Sequence, residues 1–263
     1  MTGQLGSGQK AGLALLLGVV LFAALGPALI QADPARQDLS NILARPSADW
    51  LLGTDHLGRS VLARLAHAAR LSLLLGTLSV AVAAAVGIGL GLLAAWRGGA
   101  TETALTSVAD AVLALPGLLL VVLVSAIQPG AVWPLFLGLS VAMWVEWFRM
   151  TRATAASRLA SPAVEAARLL GLGTGHVLLR HVFPSLAPIW GALAAFGVAQ
   201  AVLTIGGLGF IGVGLRPPQA EWGLMMAESF SHYATFPSAL IAPAACLCVL
   251  VLALQLVAGR RAA

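Results

Sequence analysis

The chain has 263 residues, of which 59% are hydrophobic and only 10% are charged, whereas an ordinary soluble domain carries about 25% charged residues. Such a chain cannot cover its own surface with polar groups, which excludes soluble enzymes, disulfide-rich secreted proteins, coiled coils and disordered proteins. A polytopic membrane protein remains. The net charge of +5 then indicates arginines in cytoplasmic loops rather than a nucleic-acid site, because no basic run contains interleaved aromatic residues.

Several apolar stretches are long enough to cross about 30 Å of hydrocarbon as helices. They are apolar on every face, unlike the alternating strands of a membrane barrel. The uncharged gap from Asp110 to Glu146 is too long for one span and is predicted to form a helical hairpin that turns at residues 128–130. We therefore predict an all-α polytopic membrane protein with six transmembrane helices, at residues 11–32, 71–96, 104–127, 131–148, 187–206 and 236–258.

Lysine and arginine positions favour a cytoplasmic location for both termini, because this orientation places nine of these residues inside and six outside. Residues 1–70 then comprise the first helix and an extracytoplasmic loop with an amphipathic helix. Residues 71–263 comprise a core of five transmembrane helices with a cytoplasmic loop at 149–185. The first apolar stretch has an alternative interpretation as a cleaved signal peptide, although it is longer than the usual apolar region of such peptides.

Two polar stretches are larger than a connection requires. In the outer one, residues 52–59 predict a turn that caps an amphipathic helix, which begins near Val61 and continues into the second span. The inner one carries five arginines and a single carboxylate, Glu165, and predicts a short helix that starts after Pro162. Such a helix is typical of a segment that docks into a groove of a partner protein. A basic loop that only sets the topology fits the charges equally well.

One motif in the inner loop is specific. Glu165, Ala166 and Ala167 are followed by three residues and Gly171, and Pro184 lies thirteen residues later. This pattern resembles the coupling-loop motif of ABC importer permeases. The resemblance implies that these five residues couple the chain to an ATPase.

Further stretches are similar to the peptide, opine and nickel subgroup of these permeases, and specifically to its second permease subunit: residues 52–70, 110–116 and 206–228. The resemblance implies the type I ABC importer permease fold and a place in the cytoplasmic (inner) membrane of a bacterium. It implies a heterodimer with a homologous permease subunit, two cytoplasmic ABC ATPase subunits and an extracytoplasmic solute-binding protein. Di- or oligopeptides are the expected solute, with nickel or metal-opine chelates as the alternative.

The chain is not expected to be an enzyme. A P-loop needs a Gly-Lys-Ser/Thr sequence, and the only lysine, Lys10, lies between Gln9 and Ala11. ATP and magnesium are therefore expected on partner subunits, and this chain is predicted to hold no catalytic residue, cofactor or metal. An ion-coupled secondary transporter is the alternative of a different class, but the six predicted spans contain no evident inverted repeat.

Two acidic residues lie in or beside the predicted spans. Asp110 and Glu146 are expected either to line the solute pathway or to form ion pairs, and Arg97 and Arg149 are the candidate partners of Asp110.

A glycine-rich stretch follows the fifth predicted span. Gly207, Gly209 and Gly212 match the dinucleotide fingerprint, which has meaning only between a strand and a helix. After a membrane span they instead predict a non-helical re-entrant or close-packed segment at the outer mouth. The other predicted members of this segment are Pro217, Pro218 and Trp222.

Three pairs have weaker interpretations. Gly87 and Gly91 allow another helix to approach closely, either within the chain or from the partner permease. Glu228 and His232 share a helical face, which is weak support for a metal site. The two cysteines, at positions 246 and 248, point to different faces of a helix and are expected to be small packing residues.

Overall fold

The computed structural model describes residues 6–259, so the arginines at positions 260 and 261 lie outside the described residues. Within that range the chain is helical, and the sole β-type pairing is an isolated bridge between Thr54 and Ser60. The helices are α1 (Ser7–Leu29), α2 (Val61–Arg97), α3 (Gly99–Leu113), α4 (Gly117–Ser125), α5 (Val132–Leu159), α6 (Pro162–Leu169), α7 (Thr174–Val177), α8 (Phe183–Phe210), α9 (Trp222–Phe230) and α10 (Ser238–Ala258).

Each predicted span coincides with helical structure, and the all-α membrane class is confirmed. Four helical stretches are long and apolar enough to cross a membrane: Ser7–Leu29, Val61–Arg97, Thr174–Phe210 and Ser238–Ala258. The bent pair of α3 and α4 raises the number to five if it forms one span. Glu146, Arg149 and Arg152 make α5 more polar than these helices. The count of six therefore stays a prediction.

The predicted third span is not one straight helix. It begins at Gly99 instead of near residue 104, and α3 and α4 meet at an angle of 78°. Pro116 explains the bend, because it has no N–H to donate to the preceding turn and it disfavours the helical conformation at Leu115.

The longest uninterrupted helix is α2, which confirms that the amphipathic stretch after residue 60 continues into the second span. The Ser60 hydroxyl caps it by accepting a hydrogen bond from the Ala63 N–H. Gly87 and Gly91 lie against α5, where a Cβ on Gly87 would lie 2.5 Å from the Trp144 carbonyl oxygen. These glycines therefore permit close helix packing within the chain.

The fifth predicted span is longer than expected at both ends. A π-helical turn at Leu178–Val182 joins α7 to α8, and it ends two residues before Pro184, whose ring removes one backbone donor. At the other end α8 continues through Gly206, Gly207 and Gly209 to Phe210. The prediction of non-helical backbone was wrong for Gly207 and Gly209, because the tertiary packing of α8 outweighs the low helix propensity of glycine.

Two apolar cores position the polar segments. One joins α2, α5 and α8, and the other joins α1, α2, α9 and α10. The segment at residues 31–60 packs at the end where α2 begins, and α6 packs at the end where α2 stops. From Arg64 to Trp96, α2 separates these two regions by about 48 Å at 1.5 Å per residue.

Candidate functional site

The first candidate site is α6, whose boundaries follow from its sequence. Pro162 occupies the first turn, where its missing N–H is not needed. Gly171 has φ of +75°, and its N–H donates to the Arg168 carbonyl at 2.9 Å. The Leu172 N–H donates to the Ala167 carbonyl at 3.1 Å, which completes a Schellman motif. Gly171 is thus the residue that ends the helix.

One face of α6 packs against the rest of the chain. Val164 and Ala167 are buried with Val177, beside Trp96 of α2 and Leu159 of α5. The Arg168 guanidinium lies over the Trp96 ring, 5.5 Å from its centroid. Ala167 therefore does not belong to a free docking face. The sequence alone does not distinguish Ala167 from Ala166, because the two side chains are equally small.

The opposite face of α6 is open. Glu165 and Ala166 are exposed, and Leu169 and Leu170 are 84% and 78% exposed. Two adjacent leucines on a short exposed helix are unfavourable in water unless a partner covers them. A Cβ on Gly171 would have no heavy atom within 4 Å, so this end of the helix is also accessible. Pro184 is exposed in the first turn of α8 and supports α6 only indirectly, through the helix that carries Val177 and Val182.

Asp110 and Glu146 are both exposed in this chain. Among residues 6–259 neither forms an ion pair, so the pairing of Asp110 with Arg97 or Arg149 is not observed. The alternative role, on the solute pathway or an interface, stays a prediction.

A second candidate site lies at the opposite end of α2 and consists of four charged side chains, which we call the ionic cluster; Asp55, Arg59 and Arg64 are buried, and the side chain of Glu228 is 13% exposed. Asp55 lies 2.7 Å from Arg59 and 2.5 Å from Arg64. Glu228 of α9 lies 2.9 Å from Arg59 and 2.7 Å from Arg64. Each carboxylate thus contacts both guanidinium groups, and the cluster is electrically neutral. It joins the start of α2 to α9.

The charged state of the cluster is stabilised by its geometry. Burial raises the pKa of Asp55, but the N–H groups of Arg59 and Leu57 and the charges of Arg64 and Arg59 lower it by more, so the net pKa lies below the usual value. Arg64 is almost completely buried, and its Nε and Nη2 atoms have no partner within the described residues. A cluster with unmet donors is costly to bury and therefore sensitive to the loss of any member.

The ionic cluster also includes the carboxylate ligand atoms of the metal site suggested by Glu228 and His232. Asp55, His56 and Glu228 offer ligand atoms within 4.8 Å of one another. Both carboxylates, however, already neutralise arginines, so a cation would face two positive charges. His232 stacks on His56 with ring centroids 5.7 Å apart. The arrangement fits an ion-pair network better than a metal site.

The glycine-rich segment holds a buried carboxylate in place. Glu221 precedes α9 and accepts hydrogen bonds from the Gly223 and Leu224 N–H groups, both at 2.9 Å. A Cβ on Gly209 would overlap the Glu221 carboxylate, and one on Gly223 would overlap the Gly206 carbonyl. These glycines thus allow α9 to lie directly on α8, which agrees with the predicted close packing.

Burial raises the pKa of Glu221 to about 7, although the N–H groups of its own helix oppose the shift. Trp222 is fully buried next to it and donates to the Leu65 carbonyl at 3.4 Å. Gly207 is exposed, and Gly212, with φ of +78°, forms the turn after α8. Pro217 and Pro218 are exposed in the connection to α9 and take no part in the buried contacts.

The ionic cluster and Glu221 were not identified from the sequence. Asp55, Arg59 and Arg64 were assigned to a capping turn and a helix, and Glu221 was not singled out. Three charged residues within ten positions of an otherwise apolar chain are the available signal, because buried charges need partners.

This chain is similar to known transport proteins over most of its length. The family of binding-protein-dependent transport system inner membrane components matches residues 87–262. The di/tripeptide transport system permease protein of Pseudomonas aeruginosa is 35% identical over 229 residues, which cover 84% of this chain and 75% of that protein. A dipeptide transport system permease protein of Haemophilus influenzae is 30% identical, over 84% of this chain and 77% of its own. An oligopeptide transport system permease protein of Bacillus subtilis is 26% identical, over 90% of this chain and 78% of that protein.

Proposed function

Because this chain belongs to the family of binding-protein-dependent transport system inner membrane components, we propose that it forms half of the translocation path of an ATP-driven importer for di- or oligopeptides. The resemblance recognised in the sequence is thereby confirmed at the level of the family. The observation that carries the mechanism is the open face of α6, with Glu165 and two exposed leucines beside a helix end that the positive φ of Gly171 forms.

The proposed partners follow from two features of this chain, the absence of a P-loop sequence and the exposed face of α6. Its only lysine is outside any P-loop sequence, so two ABC ATPase subunits supply hydrolysis, and ATP and magnesium bind there. The leucines of α6 offer apolar area to a groove of one ATPase, and Glu165 offers a charge to a basic side chain or a helix N-terminus. A homologous permease completes the path, and a solute-binding protein delivers the peptide.

The proposal includes six spans and both termini in the cytoplasm of a bacterial inner membrane. Single cysteines replacing Ser47 and Ser157 test this, in a chain whose Cys246 and Cys248 are replaced by alanine. In intact cells an impermeant thiol reagent is expected to label position 47 and not position 157. Labelling at 157 alone would reverse the orientation.

Peptide is the proposed solute because three relatives are named for di-, tri- or oligopeptide transport. The test uses the assembled transporter in proteoliposomes with its binding protein and ATP. Labelled dipeptide is expected to accumulate only when ATP is present. Nickel uptake that peptides do not affect would contradict the proposed solute. Uptake driven by an ion gradient without ATP would contradict the proposed transporter class.

A further inference from the structure

A groove of about 410 Å³ runs between α1 and α2, close to the end where α2 begins. Its walls are mostly aliphatic, and both helices are long and apolar enough to cross a membrane. The groove therefore opens toward the hydrocarbon of the bilayer. The residues that line it are Val20, Ala23 and Ala24 of α1 and Arg70, Leu73, Leu74 and Thr77 of α2.

A close contact between α1 and α2 closes one end of the groove. Gly26 lies against Ala66, and a Cβ on Gly26 would be only 2.8 Å from the Ala66 Cβ. One turn away, Ala23 is buried against α2, but Ala24 beside it is exposed and leaves the groove open. The hydroxyl of Thr77 donates to the Leu73 carbonyl at 2.6 Å, so it offers no free donor to the groove. Below its rim, the groove is an apolar slot.

Arg70 at the rim carries the one charge of the groove. Its side chain is exposed, and within residues 6–259 it takes part in no ion pair or side-chain hydrogen bond. Side chains on a helix lean toward the N-terminus, and α2 begins at the polar segment of residues 31–60. The guanidinium is thus directed toward the membrane boundary, where lipid phosphates lie, while the slot extends for about 10 Å from Arg70 to Thr77.

We propose that this groove binds a glycerophospholipid, with its phosphate at Arg70 and one acyl chain in the slot. An apolar helix of the partner permease could cover the slot, but it would leave the arginine without a counter-charge in a membrane. A phospholipid supplies both the apolar chain and the anion, and charged groups near the bilayer pair in this way. The proposal holds for either orientation of the chain, because phospholipids occupy both leaflets.

The test measures phospholipid retained by the complete transporter after extraction from vesicles of phosphatidylethanolamine and phosphatidylglycerol. Native mass spectrometry counts the bound lipids for the parent and for Arg70→Gln, Arg70→Lys and Ala24→Phe. The parent and Arg70→Lys are expected to keep one phospholipid more than Arg70→Gln, which lacks the charge, and Ala24→Phe, whose ring fills the slot. Arg45→Gln is the matched control, since Arg45 is an exposed arginine away from the groove.

Two results would overturn the proposal. One is equal lipid retention by the parent, Arg70→Gln and Ala24→Phe, all assembled in normal amount. The other is efficient crosslinking of Leu74→Cys to the partner permease, which would show that protein, not lipid, covers the groove.

Discussion

Arg59 and Glu228 are 169 residues apart in the chain, yet the Nη2 atom of Arg59 lies 2.9 Å from a carboxylate oxygen of Glu228. This ion pair lies beside the buried Asp55 and Arg64, so it links the start of α2 to α9 by charge as well as by apolar contact. Two of the three segments that carry the subgroup resemblance, residues 52–70 and 206–228, thus meet through this ion pair.

Loss of one charge from the ionic cluster is expected to destabilise the protein strongly. Glu228→Gln leaves two buried guanidinium groups facing one carboxylate, with an expected cost of about 3 kcal/mol. The thermal unfolding midpoint of the purified transporter measures this. Arg152→Gln is the matched control, because the Arg152–Glu102 pair is also short, at 2.5 Å, but its side chains are 27% and 34% exposed. Its loss is expected to cost about 1 kcal/mol or less.

The same cluster allows a rescue experiment. Arg64→Met with Glu228→Met removes one charge of each sign, and the double variant is expected to be more stable than the sum of the two single losses implies. Additive losses would mean that the two side chains do not interact in the assembled transporter.

Stability is expected to fall as the pH rises through the range set by Glu221. Its pKa is about 7 in the folded chain and 4.5 in the unfolded reference, so the folded chain binds more protons between these values. The stability that the raised pKa of Glu221 contributes is fully present below pH 4.5, and it is lost as the pH rises to about 7. The loss in the free energy of unfolding is up to roughly 3 kcal/mol. Unfolding midpoints of the parent are therefore expected to decrease from pH 5 to pH 8. Glu221→Gln should flatten this dependence, whereas Glu146→Gln, at an exposed position, should not.

Backbone conformation at Gly171 is expected to control coupling. Gly171→Ala places a Cβ in left-handed backbone at a cost of about 1 kcal/mol, which disfavours the Schellman motif that ends α6. Gly175→Ala is the matched control, since Gly175 is equally open but lacks positive φ. Solute-stimulated ATP hydrolysis is expected to decrease for the first variant and not for the second. If Gly171→Ala and Gly175→Ala have equal ATPase activity, the coupling role of this loop is contradicted and only its role in setting the topology remains.

The exposed leucines of α6 are expected to hold the ATPase. Leu169→Asp with Leu170→Asp should weaken co-purification of the ATPase subunits at least tenfold, because a buried contact would then contain two carboxylates. Leu39→Asp serves as the control, since Leu39 is 69% exposed at the opposite end of α2. Normal co-purification of the α6 variant would exclude these leucines from the ATPase contact.

Local patterns predicted α6 and its end well, because Pro162 and Gly171 act through backbone geometry within a few residues. They did not predict which face of α6 is buried, since this depends on Trp96, which lies 71 residues before Ala167 in the sequence. The ionic cluster was missed for the same reason: a charge 169 residues away decides whether Arg59 is solvated or paired. The bend at Pro116 has a local cause and could be predicted from the sequence. The long uncharged gap instead predicted a turn only at residues 128–130.

The length of α2 has a mechanical consequence. It contains no proline, and it carries the ionic cluster near one end and Trp96, which supports α6, near the other. A continuous helix is stiff over this distance, so a tilt of the helix moves both of its ends together. A tilt of about 5° around its middle would displace each of these ends by about 2 Å, since they are about 48 Å apart. A movement of α9 that tilted α2 would therefore also displace α6, with no change in the internal structure of α2.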